Sequence, residues 1–307
     1  MGSVMTVTGE IDASQLGVVL THEHIFANLL QEYRRDGLLS DPALAIHELQ
    51  FLKRAGGSTI VDVTTSEIGP NPAGLRKVSE ATGIKIVMGV GHYREPYLDK
   101  EWFDRTSVDA IADLIVHDIV EGVGDTGIRG GIIGEIGADK WYVSALEERS
   151  FRAAARAHRR TGLTITTHAA RWPVGRAQVD LLMDEGVDPR RIIVGHSDTV
   201  PDPAYHEELA RRGCFVEFDT IRGSMGSWDL ERITGYVMAL LERGLGDRIL
   251  LSHDTFLRSQ LHVNGGSGYD YILTSFVPRL RNAGLGDSEI QMLMVDNPRR
   301  ALTGETT

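Results

Sequence analysis

The chain has 307 residues, of which 42% are hydrophobic and 24% are charged, and 43 acidic residues against 32 basic ones leave a formal net charge of −11. This composition is ordinary for a globular protein and excludes a disordered or collagen-like chain, and the length is enough to bury a core without disulfides. The acidic balance argues against a nucleic-acid-binding protein, because phosphate contacts require clustered lysine and arginine.

Short aliphatic runs recur along the chain between longer segments of helical period. Most of these runs are continuous stretches of Val, Ile and Leu rather than alternating patterns, which is typical of parallel strands covered on both faces. Eight strands are predicted, at residues 17–21, 59–63, 85–91, 131–135, 163–167, 191–195, 214–219 and 248–252.

The segments between the strands carry helix start and stop signals. Asp41 and Pro42 supply an N-cap and an N1 proline at one helix start. A last helix around Leu293 is expected to end before Pro298, because proline cannot continue the helical hydrogen bonding.

Eight strand–helix units in a chain of about 300 residues match the size of a TIM barrel. No linker rich in Pro, Gly or Ser divides the sequence. The prediction is therefore a single α/β domain over residues 1–307 with the (β/α)8 fold. A doubly wound open sheet is the structural alternative.

The sequence also predicts where the protein resides. Its one cysteine, Cys214, cannot form an intramolecular disulfide, which fits a reducing compartment. The longest uninterrupted apolar run, residues 236–241, is far too short to span a membrane, and no signal peptide is visible. A cytoplasmic protein without a membrane segment is expected.

Six residues able to bind metal lie at the C-terminal ends of five predicted strands, which in a parallel barrel converge on the catalytic face. These residues are His22, His24, Glu135, His168, His196 and Asp254. Any one of them alone has an ordinary structural explanation, such as a hydrogen-bonded histidine, a satisfied buried carboxylate or a helix N-cap. The joint arrangement favours a binuclear metal centre.

The spacing of these residues suggests how two cations would be held. His22 and His24 are two apart on a strand, so their side chains point to one side and can bind one cation, which Asp254 can also reach. Glu135 has two oxygens and can bridge to a second cation on His168 and His196. Paired cations lower the pKa of a shared water, and Asp254 is expected to take its proton and pass it to the leaving group.

Several segments resemble the phosphotriesterase family of the amidohydrolase superfamily, in the order in which that family has them. They are Leu-Gly-Val-Val-Leu-Thr-His-Glu-His-Ile at 16–25, Thr-Ile-Val-Asp-Val at 59–63, Gly-Ile-Ile-Gly-Glu-Ile-Gly at 131–137, Thr-His at 167–168, Val-Gly-His-Ser-Asp at 194–198, Ser-His-Asp at 252–254 and Asn-Gly-Gly-Ser-Gly-Tyr-Asp-Tyr at 264–271. The resemblance extends from about residue 5 to residue 302. It implies a (β/α)8 barrel with a binuclear centre at the C-terminal ends of the strands.

One departure from the best-known members concerns the bridging ligand. Those members use a carboxylated lysine on the fourth strand, whereas this strand has no lysine and Lys140 lies beyond its end. The sequence resembles the branch often called phosphotriesterase homology proteins, whose bridge is a glutamate in Gly-Glu-Ile-Gly. Glu135 is therefore the expected bridge, and metal loading should not depend on bicarbonate.

The predicted loops after the strands suggest a polar or anionic substrate. Tyr93, Arg171, Arg222 and Arg258 are the candidate substrate-binding residues, since a guanidinium binds phosphate or carboxylate in a bidentate manner. The alternative for each arginine is a salt bridge between loops. Residues 265–268 could bind an anion through backbone N–H groups, although a tight turn or a flexible lid is the better interpretation.

Together these features predict a metal-dependent hydrolase acting on ester bonds. The resemblance favours a lactonase or carboxylic-ester hydrolase, with sugar or phosphorylated lactones as possible substrates, and leaves a phosphotriesterase or an N-acyl amidase as the alternative. A barrel that only binds metal or a ligand is the third hypothesis. The expected cofactors are two divalent ions, Zn in first place, since Mn, Co and Fe suit the same donors. The resemblance also suggests a homodimer.

Overall fold

The computed structural model describes residues 2–305 and contains a parallel barrel of eight strands. We label the barrel strands β1 to β8 in chain order: Val19–Glu23, Thr59–Asp62, Lys85–Val90, Ile132–Gly137, Ile165–His168, Ile192–Gly195, Phe215–Phe218 and Ile249–Leu251. Each strand pairs with its neighbours in sequence. The first and last strands also meet, because the Asp254 N–H donates to the His22 carbonyl at 3.1 Å and the His22 N–H to Ser252 Oγ at 3.0 Å.

This closure confirms the (β/α)8 prediction and is not compatible with a doubly wound open sheet. All eight predicted runs overlap a barrel strand, but the first strand starts two residues later than predicted. Gly17 has a φ of +64° and forms a turn next to Ser58, so the extended backbone begins only at Val19. His22 consequently lies on β1, and His24 directly follows it.

Helices cover the outside of the barrel. The α-helices α1 to α12 are Leu30–Tyr33, Pro42–Arg54, Pro72–Thr82, Lys100–Arg105, Val108–Val120, Ala145–Thr161, Gly175–Asp184, Pro203–Arg211, Ser227–Glu242, Val277–Asn282, Asp287–Gln291 and Asn297–Thr303. As predicted, α2 begins after Asp41, whose side chain accepts from the Ala43 N–H. Over residues 2–305, the helices are all too short or too polar to cross a membrane.

Shorter elements complete the chain. An antiparallel hairpin, Ser3–Thr6 with Gly9–Asp12, precedes the barrel, and Ala27–Asn28 pairs with Leu38–Leu39 after β1. Short 3-10 turns lie at Ala13–Gln15, Arg34–Gly37, Ser66–Ile68, Pro189–Arg191, Ser197–Thr199, Gly246–Arg248, Arg258–Gln260, His262–Asn264 and Gly268–Asp270.

The prediction for the last helix is wrong at its C-terminal end. The helix does not stop before Pro298 but passes through a π-helical segment, Met292–Asp296, into α12. Ile272–Phe276 is a second π-helical segment, and it precedes Pro278 in the same way. In both places the wider turn lies where proline lacks the N–H of a normal helical bond, so the helix continues past the proline.

The barrel interior changes character along its axis. Its lower part is filled by a buried apolar cluster that includes Val19, Val61, Val63, Val87, Ile132, Ile193, Phe215 and Leu250. Each such side chain contributes about 1.5–3 kcal/mol when removed from water. Near the C-terminal strand ends the buried residues are instead histidines and carboxylates. The apolar lower part therefore supports a polar layer that is costly to bury unless its members bind one another or a ligand.

Candidate metal centre

The six residues predicted as metal ligands lie together at the C-terminal ends of the strands. His22 and Glu135 lie on β1 and β4, and His168 ends β5. His24 directly follows β1 and His196 directly follows β6. Asp254 follows β8 with two residues in between. Among the residues that the structure describes, three groups of three could hold an ion. One is His22, His196 and Asp219, and the two others, which share Glu135, are His22, His24 and Glu135, and Glu135, His168 and His196. Glu135 belongs to two of the three groups, as expected for a bridging carboxylate.

Glu135 is the centre of the cluster. Its Oε2 lies 3.4 Å from His22 Nε2, 3.0 Å from His168 Nδ1 and 3.4 Å from His196 Nε2. Its Oε1 lies 3.4 Å from His24 Nε2. The side chain is almost fully buried, so all four imidazoles face one carboxylate that water barely reaches.

The hydrogen bonds on the far side of the rings decide which nitrogen carries the proton. The Nδ1 atom of His24 lies 2.9 Å from the Thr64 hydroxyl, which itself donates to the Phe26 carbonyl and therefore accepts from His24. The Nδ1 atom of His196 lies 2.8 Å from Asp219 Oδ1, and that of His22 lies 3.1 Å from Asp219 Oδ2. In the neutral rings, Nδ1 is thus protonated and Nε2 presents a lone pair to the cluster.

Lone pairs that face a carboxylate repel it unless a cation lies between them. His22 Nε2 is fully buried and has no hydrogen-bond partner, which a divalent ion would provide. Nitrogen and carboxylate donors of this kind suit Zn, Mn, Co and Fe. The residues present therefore fit a pair of divalent cations.

The electrostatics lead to the same conclusion. Burial lowers the pKa of His24, but Asp254 and Glu135 outweigh this effect and raise the pKa to about 9. Burial likewise opposes a raised pKa of His22 and His196, and Asp219 outweighs it at both rings. The carboxylates thus require positive charge at these positions, which protons or metal ions can supply.

His168 differs from the other three rings. Burial and then the neighbouring His196 lower the pKa of His168 to about 4, so the ring is neutral at neutral pH. Its Nδ1 faces Glu135 and lies 2.8 Å from His196 Nε2. The His168 side chain is 15% exposed, more than the other three rings, so the side of the cluster formed by His168 and His196 is the more accessible one.

Asp254 lies at the edge of the cluster rather than within a three-residue group. Its Oδ1 is 3.4 Å from His24 Nε2 and 3.9 Å from His22 Nε2. Burial raises the pKa of Asp254, but hydrogen bonding with His24 and the nearby imidazoles keep the pKa below its ordinary value. Asp254 is therefore a carboxylate at neutral pH, borders the cavity and can accept a proton there.

The sequence prediction did not include two carboxylates beneath the cluster. Asp219 accepts from the backbone N–H and the Nδ1 of His196 and also lies beside His22. Glu217 Oε2 lies 3.2 Å from His22 Nδ1. Asp219 ends the seventh predicted strand, so the rule that selected the other residues would also have selected it. Glu217 lies inside a hydrophobic run and carries no comparable signal.

A cavity of about 470 Å³ opens above the cluster and is lined by loops from several strands. Leu29, Tyr33 and Phe256 form apolar parts of its wall. Arg94 binds both Glu32 and Asp139, so its charge is neutralised within the wall. On this side of the cavity, the two carboxylates of Glu32 and Asp139 outnumber the single guanidinium of Arg94, so the local charge is negative.

The predicted substrate-binding arginines do not all reach this cavity. Arg171 and Arg222 line it, and within residues 2–305 neither guanidinium lies within 4.0 Å of a carboxylate. The structure does not bring Arg258 to the cavity wall. Arg258 begins a 3-10 turn, its backbone carbonyl accepts from the Asn264 side chain, and it is not among the residues that line the cavity.

Tyr93 lines the cavity beside the cluster. Its hydroxyl lies 3.3 Å from His168 Nδ1, and its ring packs against Tyr97 at a centroid distance of 5.3 Å. Burial and then Glu135 raise the pKa of Tyr93 well above its ordinary value, so the phenol keeps its proton. Tyr93 can thus donate a hydrogen bond to a substrate while packing against Tyr97.

Other candidates lie elsewhere. Lys140 is exposed beyond β4, where its ammonium group approaches the Tyr142 ring and not Glu135. In the 265–268 segment, Gly266 packs so closely on the Gln260 backbone that a Cβ would lie 2.1 Å from it. That segment is therefore a tight turn, and it does not line the cavity.

Comparison with known proteins places this geometry in a family. The model of the phosphotriesterase family matches residues 2–302. The chain belongs to the phosphotriesterase family. Members of this family depend on a binuclear metal centre, and the chain is accordingly an enzyme that hydrolyses ester or amide bonds.

Individual family members differ in the activity that their names give. The N-acetyltaurine hydrolase of Dictyostelium discoideum is 31% identical, over 99% of this chain and 98% of that protein. The structure of the phosphotriesterase homology protein of Escherichia coli, with phosphate in its active site, is 34% identical with a TM-score of 0.91, over 95% of this chain and all of that one. A lactonase from Listeria monocytogenes is 28% identical with a TM-score of 0.92, over 99% and 100% of the two chains.

Proposed function

We propose that this phosphotriesterase-family hydrolase is a binuclear-metal-dependent lactonase or carboxylic-ester hydrolase whose substrate carries an anionic group. The observation that carries the proposal is that the metal-binding cluster lies below the cavity and two arginines lie along it. Buried imidazole lone pairs face Glu135 and Asp254 in its floor, and the guanidinium groups of Arg171 and Arg222, which have no carboxylate partner among residues 2–305, lie along the cavity above.

The ligand sets follow from the two groups around Glu135. His22, His24 and Asp254 would hold one ion, His168 and His196 the other, and Glu135 would bridge them. Zn is the first choice, with Mn, Co and Fe suited to the same donors. When bound, two such ions activate water and polarise the group under attack.

The chain's own residues supply positioning and proton transfer. The Asp254 carboxylate accepts a proton from the attacking water and passes it to the leaving oxygen of the substrate. The Tyr93 hydroxyl donates a hydrogen bond to a substrate oxygen beside His168. Arg171 and Arg222 bind the anionic group, whose charge is repelled by Glu32 and Asp139 on the other side.

An N-acyl amidase is the second candidate. It is favoured by the N-acetyltaurine hydrolase match, which spans nearly the whole chain. Cleavage of an amide would use the same cluster, with Asp254 returning the proton to the leaving nitrogen. A phosphotriesterase fits less well, because a neutral triester offers no charge to Arg171 and Arg222.

A substrate panel tests the proposal. The metal-loaded protein would be assayed with γ- and δ-lactones, phosphorylated sugar lactones, N-acyl amino acids, N-acetyltaurine and paraoxon. We expect the highest kcat/KM with a lactone or carboxylic ester that carries an anionic group. A higher value for an N-acyl compound would establish the amidase instead, and a paraoxon value orders of magnitude above every lactone would refute the lactonase proposal.

The remaining predictions from the sequence extend the proposal. A cytoplasmic location rests on the single cysteine, which is buried and free. A homodimer rests on the family resemblance. Sedimentation of the purified protein checks the second of these directly.

A further inference from the structure

Asp254 has a backbone conformation that few non-glycine residues adopt. Its φ is +53°, and Arg34, Arg171 and His196 are the other non-glycine residues in the described chain with a positive φ. Such a conformation persists only where the surroundings hold it in place. At His196 the holding group is visible, because Asp219 accepts from both its backbone N–H and its ring. A corresponding group should exist for Asp254.

That group is the carboxylate of Glu23, the middle residue of the His-Glu-His sequence on β1. Glu23 is fully buried, and four donors converge on it from the segment around Asp254. Oε1 accepts from the Ser252 hydroxyl at 2.7 Å and from the His253 backbone and ring at 2.9 and 2.7 Å. Oε2 accepts from the Thr255 N–H at 2.9 Å. Glu23 thus binds the residues on both sides of Asp254.

His253, like the other three groups, donates its hydrogen bond to Glu23. Its Nε2 accepts from the Ile272 N–H at 3.0 Å, so in the neutral ring the proton lies on Nδ1 and is donated to Glu23. All four groups around the Glu23 carboxylate are therefore donors. A glutamine would turn its NH2 group toward at least one of them and leave a buried donor without an acceptor.

We propose that Glu23 is the positioning residue for Asp254: its carboxylate fixes residues 252–255 so that the Asp254 side chain faces the metal-binding cluster. The inference rests on the proton-transfer role of Asp254 in the proposed function. It also explains why a carboxylate that points away from the cluster lies between two ligand histidines. Displacement of a reacting group by about 1 Å can lower a rate by about 100-fold.

The test compares Glu23→Gln with Glu48→Gln. Glu48 is a matched control, because it is also fully buried and also accepts two backbone N–H groups of the loop after β8, those of His262 and Val263. Glu48 does not contact residues 252–255 in the described hydrogen bonds. Both variants would be assayed on two esters of one acid, one with an aryl and one with an alkyl leaving group, with metal content measured in parallel.

We expect Glu23→Gln to keep two metal ions per chain and a KM within about 3-fold of wild type, while kcat falls by about 10- to 100-fold. The fall should be larger for the alkyl ester, because its leaving oxygen depends more on proton transfer. Glu48→Gln should change kcat by less than about 3-fold. In an Asp254→Asn background, Glu23→Gln should cause almost no further loss, since the two residues act as a unit.

Equal kcat values for Glu23→Gln and Glu48→Gln would overturn the inference, as would a loss explained by missing metal or a full additional loss on top of Asp254→Asn. If Asp254→Asn itself remained fully active, the proposed function would fail instead. Should Glu23→Gln not fold, His253→Asn and His253→Leu replace it. The asparagine retains a donor to Glu23 and should keep kcat within about 3-fold, whereas the leucine should lower it by about 10-fold.

Discussion

The floor of the site, which is the metal-binding cluster with its supports, and its mouth, which is the loops around the cavity, differ in how their side chains are held. In the floor, the ligand side chains and their supports are bound to one another: Thr64 holds His24, and Asp219 holds His22 and His196. In the mouth, Arg171 and Arg222 have no carboxylate partner among residues 2–305, and the nearby Trp172 is half exposed. The fixed floor determines the type of reaction. The side chains of the mouth are less constrained, so substitutions among them can change which substrate binds. This agrees with a family whose members are named for both amide and lactone hydrolysis.

The largest expected effect is at Asp254, in the floor. Asp254→Asn keeps the shape of the side chain but removes its basicity, so we expect kcat to fall by about 1000-fold or more, with metal content nearly unchanged. Steady-state kinetics and elemental analysis measure the two quantities. Asp270→Asn is the control, because Asp270 pairs with His262 outside the cavity and should leave kcat within a few-fold of wild type. More than a tenth of wild-type kcat in Asp254→Asn would contradict the assignment.

The next effect concerns the support beneath the floor. Asp219→Asn removes the charge that holds His22 and His196, and we expect about 10- to 100-fold weaker metal affinity. Competition with a metal chelator measures this affinity. Asp202→Asn changes a carboxylate that caps α8 and pairs with Arg176 away from the cluster, so its metal affinity should equal that of wild type. If both variants bound metal like wild type, Asp219 would not contribute to metal affinity through His22 and His196.

A mutation in the mouth should act on binding rather than on chemistry. Arg222→Ala is expected to raise KM for an anionic substrate by about 10- to 100-fold, with kcat changed little. A neutral substrate with the same scissile group should show almost no change. Arg258→Ala serves as the control, because Arg258 does not line the cavity. Equal effects on the charged and the neutral substrate would show that Arg222 does not bind the anion.

The last prediction concerns the stability of the fold at low pH and not the chemistry of the site. His206 is buried behind the floor and contacts the Ser197 carbonyl, and burial lowers the pKa of His206 to about 4. Because the unfolded pKa is about 6.5, the folded protein binds fewer protons below that pH, so stability is lost as the pH falls from 6.5 toward 4. The loss is on the order of 3 kcal/mol. Urea unfolding at pH 7 and pH 4.5 should show a smaller decrease for His206→Gln than for wild type; an equal decrease would contradict it.

Much of this contrast could be predicted from the sequence, but more for the floor than for the mouth. The ligand histidines follow aliphatic strands, and the geometry of a parallel barrel then brings them together. Asp219 obeys the same rule and could have been included. The function of Glu23 could not, because strand alternation only shows that it points away from His22 and His24 and does not identify the segment that it contacts.

The paths of the loops are harder to predict from the sequence than the positions of the strand ends. Arg222 and Arg258 follow neighbouring strands and look equivalent in one dimension, yet only Arg222 lines the cavity. The difference arises from the 3-10 turns after β8, which no periodic pattern announces. The last helix shows the same limit, since Pro298 is a stop signal in the sequence and the π-helical segment before it removes the conflict.

The proposed metal centre depends most on Glu135 as the bridge between two metal ions. Crystals of protein prepared without added bicarbonate would be measured at wavelengths above and below the absorption edge of the loaded metal. We predict two anomalous peaks on either side of the Glu135 carboxylate, and the same two peaks in Lys140→Ala. A single peak, or two ions bridged by a modified Lys140, would contradict the assignment of Glu135 as the bridge.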